Sequence, residues 1–143
     1  MSYSLGFSQA IAATIYIADK VEQGYFEFTP TAQLAQNLNI PRPTVAKILQ
    51  SLNYAGIIET REGAKGGVRL AKPADQVTVL DIFMAIERER PLFQTRLNIQ
   101  VTGKKPTLVQ ESISTLLSDA EIAMKNSLKQ TTIADLMAAI NIE

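Results

Sequence analysis

The chain has 143 residues, of which 46% are hydrophobic and 20% charged, and its 14 basic and 14 acidic side chains cancel. This length predicts a single domain with a modest core. Because cysteine and histidine are both absent, the sequence excludes disulfides, thiolate nucleophiles, Cys/His zinc sites and ligation of iron–sulfur clusters or haem by these side chains. No cofactor is expected, although an all-carboxylate site for magnesium or calcium stays open.

The first residues and the hydropathy pattern favour a cytoplasmic location. Residues 1–10 have no basic segment leading into an apolar one, so they do not look like a signal peptide. No apolar run approaches the length of about 18 residues that a membrane-spanning helix needs.

Positive charge is concentrated in one part of the chain. Residues 40–72 hold six basic and two acidic side chains, a net charge of +4, whereas residues 1–39 and 73–143 each have a net charge of −2. A single surface Lys or Arg is as consistent with a solvated face as with a binding site. The clustering is what favours contact with a nucleic acid.

Three helices are predicted in the first 54 residues. Apolar spacings of three and four predict a helix over residues 8–21, ended by Gly24, with the inner face Ile11, Ala12, Ile15, Ala18 and Val21. Thr29 as N-cap and Pro30 in the first turn predict a short second helix. A third is predicted from Arg42 or Pro43 to Tyr54, with the apolar face Val45, Ile48, Leu49 and Leu52.

A β-hairpin is predicted next. Residues 57–61 and 68–71 have the composition of short strands, and the glycine-rich residues 63–67 between them predict a turn with a basic tip. Two short helices followed by such a hairpin are typical of a winged helix-turn-helix. Hairpins of this size are unstable alone, so this one must pack on the helices.

The C-terminal half predicts three further helices. Thr78 with Asp81, and Thr132 with Asp135, have the spacing of capping boxes that open short helices. Residues 88–106 show no period and predict a loop. Residues 107–129 predict the longest helix, about 35 Å long, with the apolar stripe Val109, Ile113, Leu116, Leu117, Ala120, Ala123, Met124 and Leu128.

The long helix exceeds what a small core can cover, which favours a two-fold dimer. The alternative is a helix folded back on its own domain. The predicted fold is mainly α with a small β-hairpin wing, divided into a winged helix-turn-helix DNA-binding domain (1–87), a loop (88–106), and a dimerisation helix with a C-terminal helix that packs back on the domain (107–143).

The predicted DNA contacts lie on the third helix and the hairpin. A recognition helix enters the major groove with its N-terminal residues, which predicts contacts from Arg42, Pro43, Thr44, Lys47, Gln50 and Ser51. In the wing, basic side chains beside glycines can approach a phosphodiester closely, which predicts contacts from Arg61, Lys65, Gly66, Gly67 and Arg69.

Four segments carry a family resemblance: residues 40–58, the Lys-Gly-Gly-Val-Arg-Leu-Ala of residues 65–71, residues 77–87 and residues 132–136. In these the chain resembles the BadM/Rrf-two family of winged-helix regulators, which includes the iron–sulfur cluster regulator, the nitric-oxide-sensing repressor and the cysteine-metabolism repressor. The resemblance implies a homodimer formed through the long helix and a palindromic operator. It also implies base contacts near Arg42 to Lys47 and backbone contacts from the wing.

The chain departs from the family pattern at three places. Thr44-Val45 stands where Tyr-Leu is frequent, and Glu62 precedes Gly63 where an arginine commonly begins the wing turn. Cluster-binding members carry three cysteines in the loop that corresponds to residues 88–106, and this chain has none. The resemblance is therefore to cluster-free members, and it implies a regulatory protein or a small-molecule effector as a further partner.

The function predicted from these features is a sequence-specific DNA-binding transcriptional regulator, a repressor that binds double-stranded DNA as a homodimer. The alternative is a protein-interaction module that keeps the winged-helix fold without specific DNA binding. An enzyme is not expected, because the candidate carboxylates lie at helix caps or on solvated faces and the glycine-rich turn lies between strands. A small-molecule pocket lined by Phe83, Leu92, Phe93 and Met124 stays open, since core packing explains these residues equally well.

Overall fold

The computed structural model describes residues 5–88 and 90–140. The described elements are α1 (Gly6–Glu22), α2 (Thr31–Leu38), α3 (Arg42–Tyr54), β1 (Ile58–Arg61), β2 (Gly67–Leu70), a 3-10 turn (Ala74–Gln76), α4 (Val79–Glu87), α5 (Lys104–Lys129) and α6 (Ile133–Ile140). The predicted mainly α fold with a β-hairpin wing is confirmed. Residues 1–4, 89 and 141–143, which the predicted division into 1–87, 88–106 and 107–143 includes, lie outside the described residues.

Helix α1 lies in the middle of the core, where it contacts α2, α3, α4, α6 and β2. Its most buried residues are Ala10, Ala13, Thr14, Ile17 and Ala18, whereas four of the five residues predicted to face inward, Ile11, Ala12, Ile15 and Val21, are only partly buried. The predicted face is only part of the buried surface of α1. Ile11 and Ile15 do pack against the core, but neighbours on several sides also bury residues outside the predicted face. Small residues at 10 and 13 let these neighbours approach closely.

Helix α3 has the predicted bounds and the predicted buried residues, Val45, Ile48, Leu49 and Leu52. It ends in a Schellman motif, in which the Ile57 N–H donates to the Leu52 carbonyl and the Gly56 N–H to the Asn53 carbonyl, each at 3.0 Å. The motif requires a left-handed residue, and Gly56 has a φ of +76°. The chain then turns inward at Ile57, which is buried, and enters β1.

The predicted N-cap role of Thr29 was wrong. Helix α2 begins at Thr31 after an extended Pro30, without a side-chain cap. Thr29 instead pairs with β2: its N–H donates to the Val68 carbonyl at 2.7 Å and its carbonyl accepts from the Val68 N–H at 2.9 Å. This pairing satisfies the backbone of a fully buried residue, and it joins the α1–α2 connection to the wing.

Strands β1 and β2 form the predicted antiparallel hairpin, with Glu59 opposite Arg69 and Arg61 opposite Gly67. Ile58 and Val68 are buried against the helices. Because side chains alternate across a strand, Glu59, Arg61 and Arg69 lie on the other face of the hairpin. The strand bounds differ by one residue from the predicted 57–61 and 68–71.

Both predicted capping boxes are present. At α4, the Thr78 N–H donates to Asp81 Oδ2 at 2.9 Å and the Asp81 N–H donates to Thr78 Oγ1 at 3.1 Å. Thr132 and Asp135 repeat the arrangement at α6, at 2.9 and 3.0 Å. The starts of the two helices are also joined, since the Val79 N–H donates to the Thr131 carbonyl and the Ile133 N–H to the Val77 carbonyl.

The long helix begins earlier than predicted, at Lys104, so residues 104–106 are helical and the loop is shorter than the predicted 88–106. Pro106 is tolerated because it lies in the first turn, where its missing N–H would have had no partner. The loop is tied to α5: the Leu92 N–H donates to Glu121 at 2.6 Å and the Leu97 N–H to Gln110 at 2.9 Å. None of the described helices combines the length and apolarity required to cross a membrane.

Candidate nucleic-acid interface

The outer face of α3 carries most of the side chains predicted to contact DNA. Because the four apolar residues of α3 are buried in the core, the polar ones point outward. Arg42, Pro43, Lys47 and Gln50 are exposed, whereas Thr44 and Ser51 are half-buried at the edges of this face. In the described part of the chain, neither Arg42 nor Lys47 makes an ion pair. Both cations are therefore available to an anionic partner.

The wing turn is held by one of its own arginines. Arg61 donates from Nη2 and Nε to the Lys65 carbonyl, at 2.7 and 3.2 Å, and so closes the turn between the strands. The Lys65 side chain is exposed and has no ion pair among the described residues. Lys65 is thus the accessible cation at the wing tip.

Contacts within the protein explain why glycine occupies positions 66 and 67 of the wing. A β-carbon on Gly66 would lie 2.2 Å from the Arg61 carbonyl oxygen, and one on Gly67 would lie 2.1 Å from that of Thr29. Neither distance is possible for non-bonded atoms, so packing within the protein alone requires glycine at both positions. Their predicted contact with a phosphodiester stays a prediction.

Arg61 and Arg69 are brought together over the ring of Phe28, with guanidinium carbons 4.2 and 4.3 Å from the ring centroid. Glu27 lies against both, with its carboxylate oxygens 3.4 Å from Arg61 Nη1 and 3.6 Å from Arg69 Nη1. Glu59, opposite Arg69 in the hairpin, pairs with Arg69 Nε. No signal in the sequence pointed to these contacts, because Glu27 and Phe28 lie more than thirty positions before Arg61 and belong to a stretch of net negative charge.

The predicted dimerisation stripe on α5 is divided into two halves by the packing of the chain. Ile113, Leu117, Met124 and Leu128 are half-buried on the side that faces α4 and the loop. Val109, Leu116, Ala120 and Ala123 lie beside them on the helix surface and are exposed, Leu116 by 67% and Val109 by 50%. The described residues thus cover only one half of the stripe.

Two clefts can be compared with the predicted effector pocket. One of about 280 Å³ lies between the loop and α5 and is lined in part by Phe93, Leu117 and Glu121. Phe83, which was also predicted to line a pocket here, is buried and packs edge-to-face on Phe7. A larger cleft of about 580 Å³ lies between the end of α3 and α4, next to Tyr54, Met84 and Arg88.

A comparison with models of protein families shows which family this chain belongs to. The model described as "Rrf2: Iron-dependent Transcriptional regulator" matches residues 3–139, nearly the whole chain. The chain belongs to the Rrf2 family. This Rrf2 protein is accordingly a transcriptional regulator, and its relatives are regulators and not enzymes.

Individual Rrf2 relatives and a solved structure are similar over most of their length. An Aquifex aeolicus protein assigned to the HTH-type transcriptional regulators is 31% identical over 117 residues, 78% of this chain and 74% of the relative. YwgB of Bacillus subtilis, assigned to the same class, is 23% identical over 96% of this chain and 85% of its own. The structure of CymR, the global cysteine regulator of B. subtilis, is similar with a TM-score of 0.69 and 21% identity, covering 99% of both chains.

The iron in the description of the Rrf2 model does not fit this chain. The sequence contains no cysteine and no histidine. Among the described residues, no group of three or more acidic side chains is placed to hold a metal ion. No residue here can supply the thiolate or imidazole ligands that a protein-bound iron–sulfur cluster uses.

Proposed function

We propose that this Rrf2 regulator binds double-stranded DNA by placing α3 in the major groove and the wing against the adjacent backbone. The observation that carries the proposal is the exposed polar face of α3, where Arg42 and Lys47 have no acidic partner in the described chain. When Lys and Arg side chains without acidic partners contact phosphates, the counterions condensed on the DNA are released. This release is the main source of affinity for DNA.

The residues on α3 divide by the contacts they can make. Arg42 lies at the first position of α3, where it can reach a guanine edge or a phosphate, and Gln50, two turns later, can bind an adenine edge with its amide. Thr44 can donate to a phosphate or contact a thymine methyl. Pro43 and Ser51 complete the surface that faces the groove. In the wing, Lys65 makes the phosphate contact, with Gly66 and Gly67 bringing the backbone of the turn close to the DNA.

A homodimer formed through α5 completes the proposal. The uncovered half of the stripe combines two large apolar residues, Val109 and Leu116, with Ala120 and Ala123, whose small side chains let two helices approach closely. Exposed apolar surface along several helical turns costs free energy in water, and pairing with a second copy removes it. Ile113, Leu117 and Met124 border this surface and support it from the side of α4.

A two-fold dimer presents two copies of α3, so the operator is a palindrome with half-sites about 34 Å apart. Occupying such a site excludes other proteins from it, and we therefore propose repression in the bacterial cytoplasm. The signal that relieves repression is a regulatory protein or a small molecule. The clefts next to α4 and α5 are where a small molecule would alter the position of α3 or the loop.

The test is selection of bound duplexes from a random library, followed by a salt titration. The dimer is expected to enrich a palindrome of roughly 20–30 base pairs, and the logarithm of its affinity should fall linearly with that of the salt concentration. Enrichment of no sequence, together with affinity that does not depend on salt, would contradict the proposal. Capture of a partner protein by a chain that binds DNA weakly and without sequence preference would favour the interaction module instead.

A further inference from the structure

The outer face of the wing holds opposite charges in equal number. Arg61 and Arg69 lie there with Glu59, and Glu27 reaches the same place from the α1–α2 connection. The side chains are only partly covered, at 40% exposure for Arg61, 38% for Arg69 and 65% for Glu27. Water, and therefore a dissolved anion, has access to all of them.

The donors of both guanidiniums are largely occupied. Arg61 uses Nε and Nη2 on the Lys65 carbonyl, and its Nη1 faces Glu27. Arg69 uses Nε on Glu59, and its Nη1 faces the other oxygen of the same Glu27 carboxylate. The Phe28 ring fixes the plane in which the guanidiniums lie. A phosphate that binds Nη1 of either arginine must therefore compete with Glu27.

We infer that Glu27 acts as a built-in competitor of the DNA backbone for Arg61 and Arg69, and so sets the affinity of the wing for phosphate. A carboxylate and a phosphodiester present similar pairs of oxygens to a guanidinium, so one can replace the other at the same donors. This inference rests on the proposed function. In the free protein the Glu27 carboxylate pairs with both guanidiniums. In the complex a phosphate either replaces Glu27 or binds the same guanidiniums beside it.

The consequence is that the wing contributes less to DNA binding than its number of cations suggests. Counterion release depends on how many phosphates the protein neutralises. With Glu27 and Glu59 in place, the outer face of the wing has no net charge, which leaves Lys65 and the α3 cations to provide the salt-dependent affinity. Removing the Glu27 charge should free the arginines for the backbone without changing how bases are read.

The test compares Glu27→Gln with Glu62→Gln. Glu62 lies in the same wing turn, is exposed and has no ion pair among the described residues, so its substitution removes the same charge without touching the arginines. Affinity for a scrambled duplex of about 30 base pairs, long enough for a dimer, is measured by fluorescence anisotropy over a salt series. Circular dichroism and urea unfolding establish that each variant is folded.

Glu27→Gln is expected to bind about threefold to tenfold more tightly, with a salt slope steeper by about 0.9 for each phosphate gained. Glu62→Gln should change affinity by less than about twofold. Glu59→Gln, which releases Arg69 alone, should give a smaller gain than Glu27→Gln. In an Arg61→Ala/Arg69→Ala background, Glu27→Gln should gain no more than Glu62→Gln does.

Two outcomes overturn the inference and differ from each other. If the wild-type protein binds duplex DNA but Glu27→Gln binds no more tightly than Glu62→Gln, Glu27 only holds the arginines in place, and the proposed function stands. If the wild-type protein does not bind duplex DNA at low salt, the proposed function fails and the inference fails with it.

Discussion

The backbone of Gly67 passes so close to Thr29 that a β-carbon on the glycine would lie 2.1 Å from the Thr29 carbonyl oxygen. This approach accompanies the pairing of Thr29 with Val68, which fixes the wing to the α1–α2 connection. The same connection carries Glu27 and Phe28 to the outer face of the wing. Glycine at position 67 is thus required for the wing to lie this close to the connection.

Replacing Gly67 with alanine should therefore destabilise the protein strongly. We expect Gly67→Ala to lower the free energy of unfolding by about 3 kcal/mol, because the new methyl group forces Thr29 away from β2. The measurement is urea denaturation followed by circular dichroism. The matched control is Gly24→Ala. Gly24 has a φ of +78°, but an added β-carbon would meet open space, so this substitution should cost only about 1 kcal/mol of backbone strain. Equal losses in the two variants would show that close approach is not the cause.

Two fully buried threonines should respond in opposite ways to replacement by valine, which has nearly the same shape. The Thr14 hydroxyl donates to the Ala10 carbonyl at 2.7 Å, so Thr14→Val should lower the free energy of unfolding by about 1 kcal/mol. Thr29 Oγ1 is buried and has no hydrogen-bond partner in the described chain. Thr29→Val should therefore be neutral or stabilising by up to about 1 kcal/mol. Thermal and urea unfolding of both variants check this, and a larger loss at Thr29 would reverse the interpretation.

The oligomeric state should depend on one side of α5 only. Leu116→Glu places a charge in the uncovered half of the stripe, and we expect it to yield a monomer, because a buried unpaired carboxylate is costly. Ile122 is also exposed, by 53%, but points to the other side of the helix. Ile122→Glu should therefore remain a dimer. Analytical ultracentrifugation separates the two states, and a dimeric Leu116→Glu variant would rule out this interface.

Single substitutions should distinguish residues that read the bases from residues that contact the DNA backbone. Gln50→Ala is expected to reduce the preference for the selected operator over a scrambled duplex by about tenfold for each half-site, because an amide that binds a base edge contributes about 1–3 kcal/mol of discrimination. Lys65→Ala should weaken binding to both duplexes alike and flatten the salt slope by about 0.9 for each wing. Anisotropy titrations with the two duplexes measure both effects. Loss of discrimination in Lys65→Ala, with none in Gln50→Ala, would exchange the assigned roles.

Local signals in the sequence were enough for much of the fold. The α3 bounds, its four buried residues and the two capping boxes depend on residues within one or two turns of each other, so spacing alone predicts them. The absence of cysteine and histidine likewise excludes a thiolate- or imidazole-ligated iron cluster whatever the fold. The α1 face was predicted only in part and the Thr29 cap was predicted wrongly, because distant segments cover α1 and pair with Thr29.

The sequence by itself determined that a basic helix and a basic, glycine-rich hairpin follow each other, since composition and periodicity are properties of neighbouring residues. Only the tertiary structure decided which of those cations stay available. Folding brings the Glu27 carboxylate, from a stretch of opposite charge, within 3.4 Å of Arg61 and 3.6 Å of Arg69. Electrostatic energy depends on distance in space and not on separation along the chain, so the charge of this surface could be established only after the wing had been placed against the α1–α2 connection.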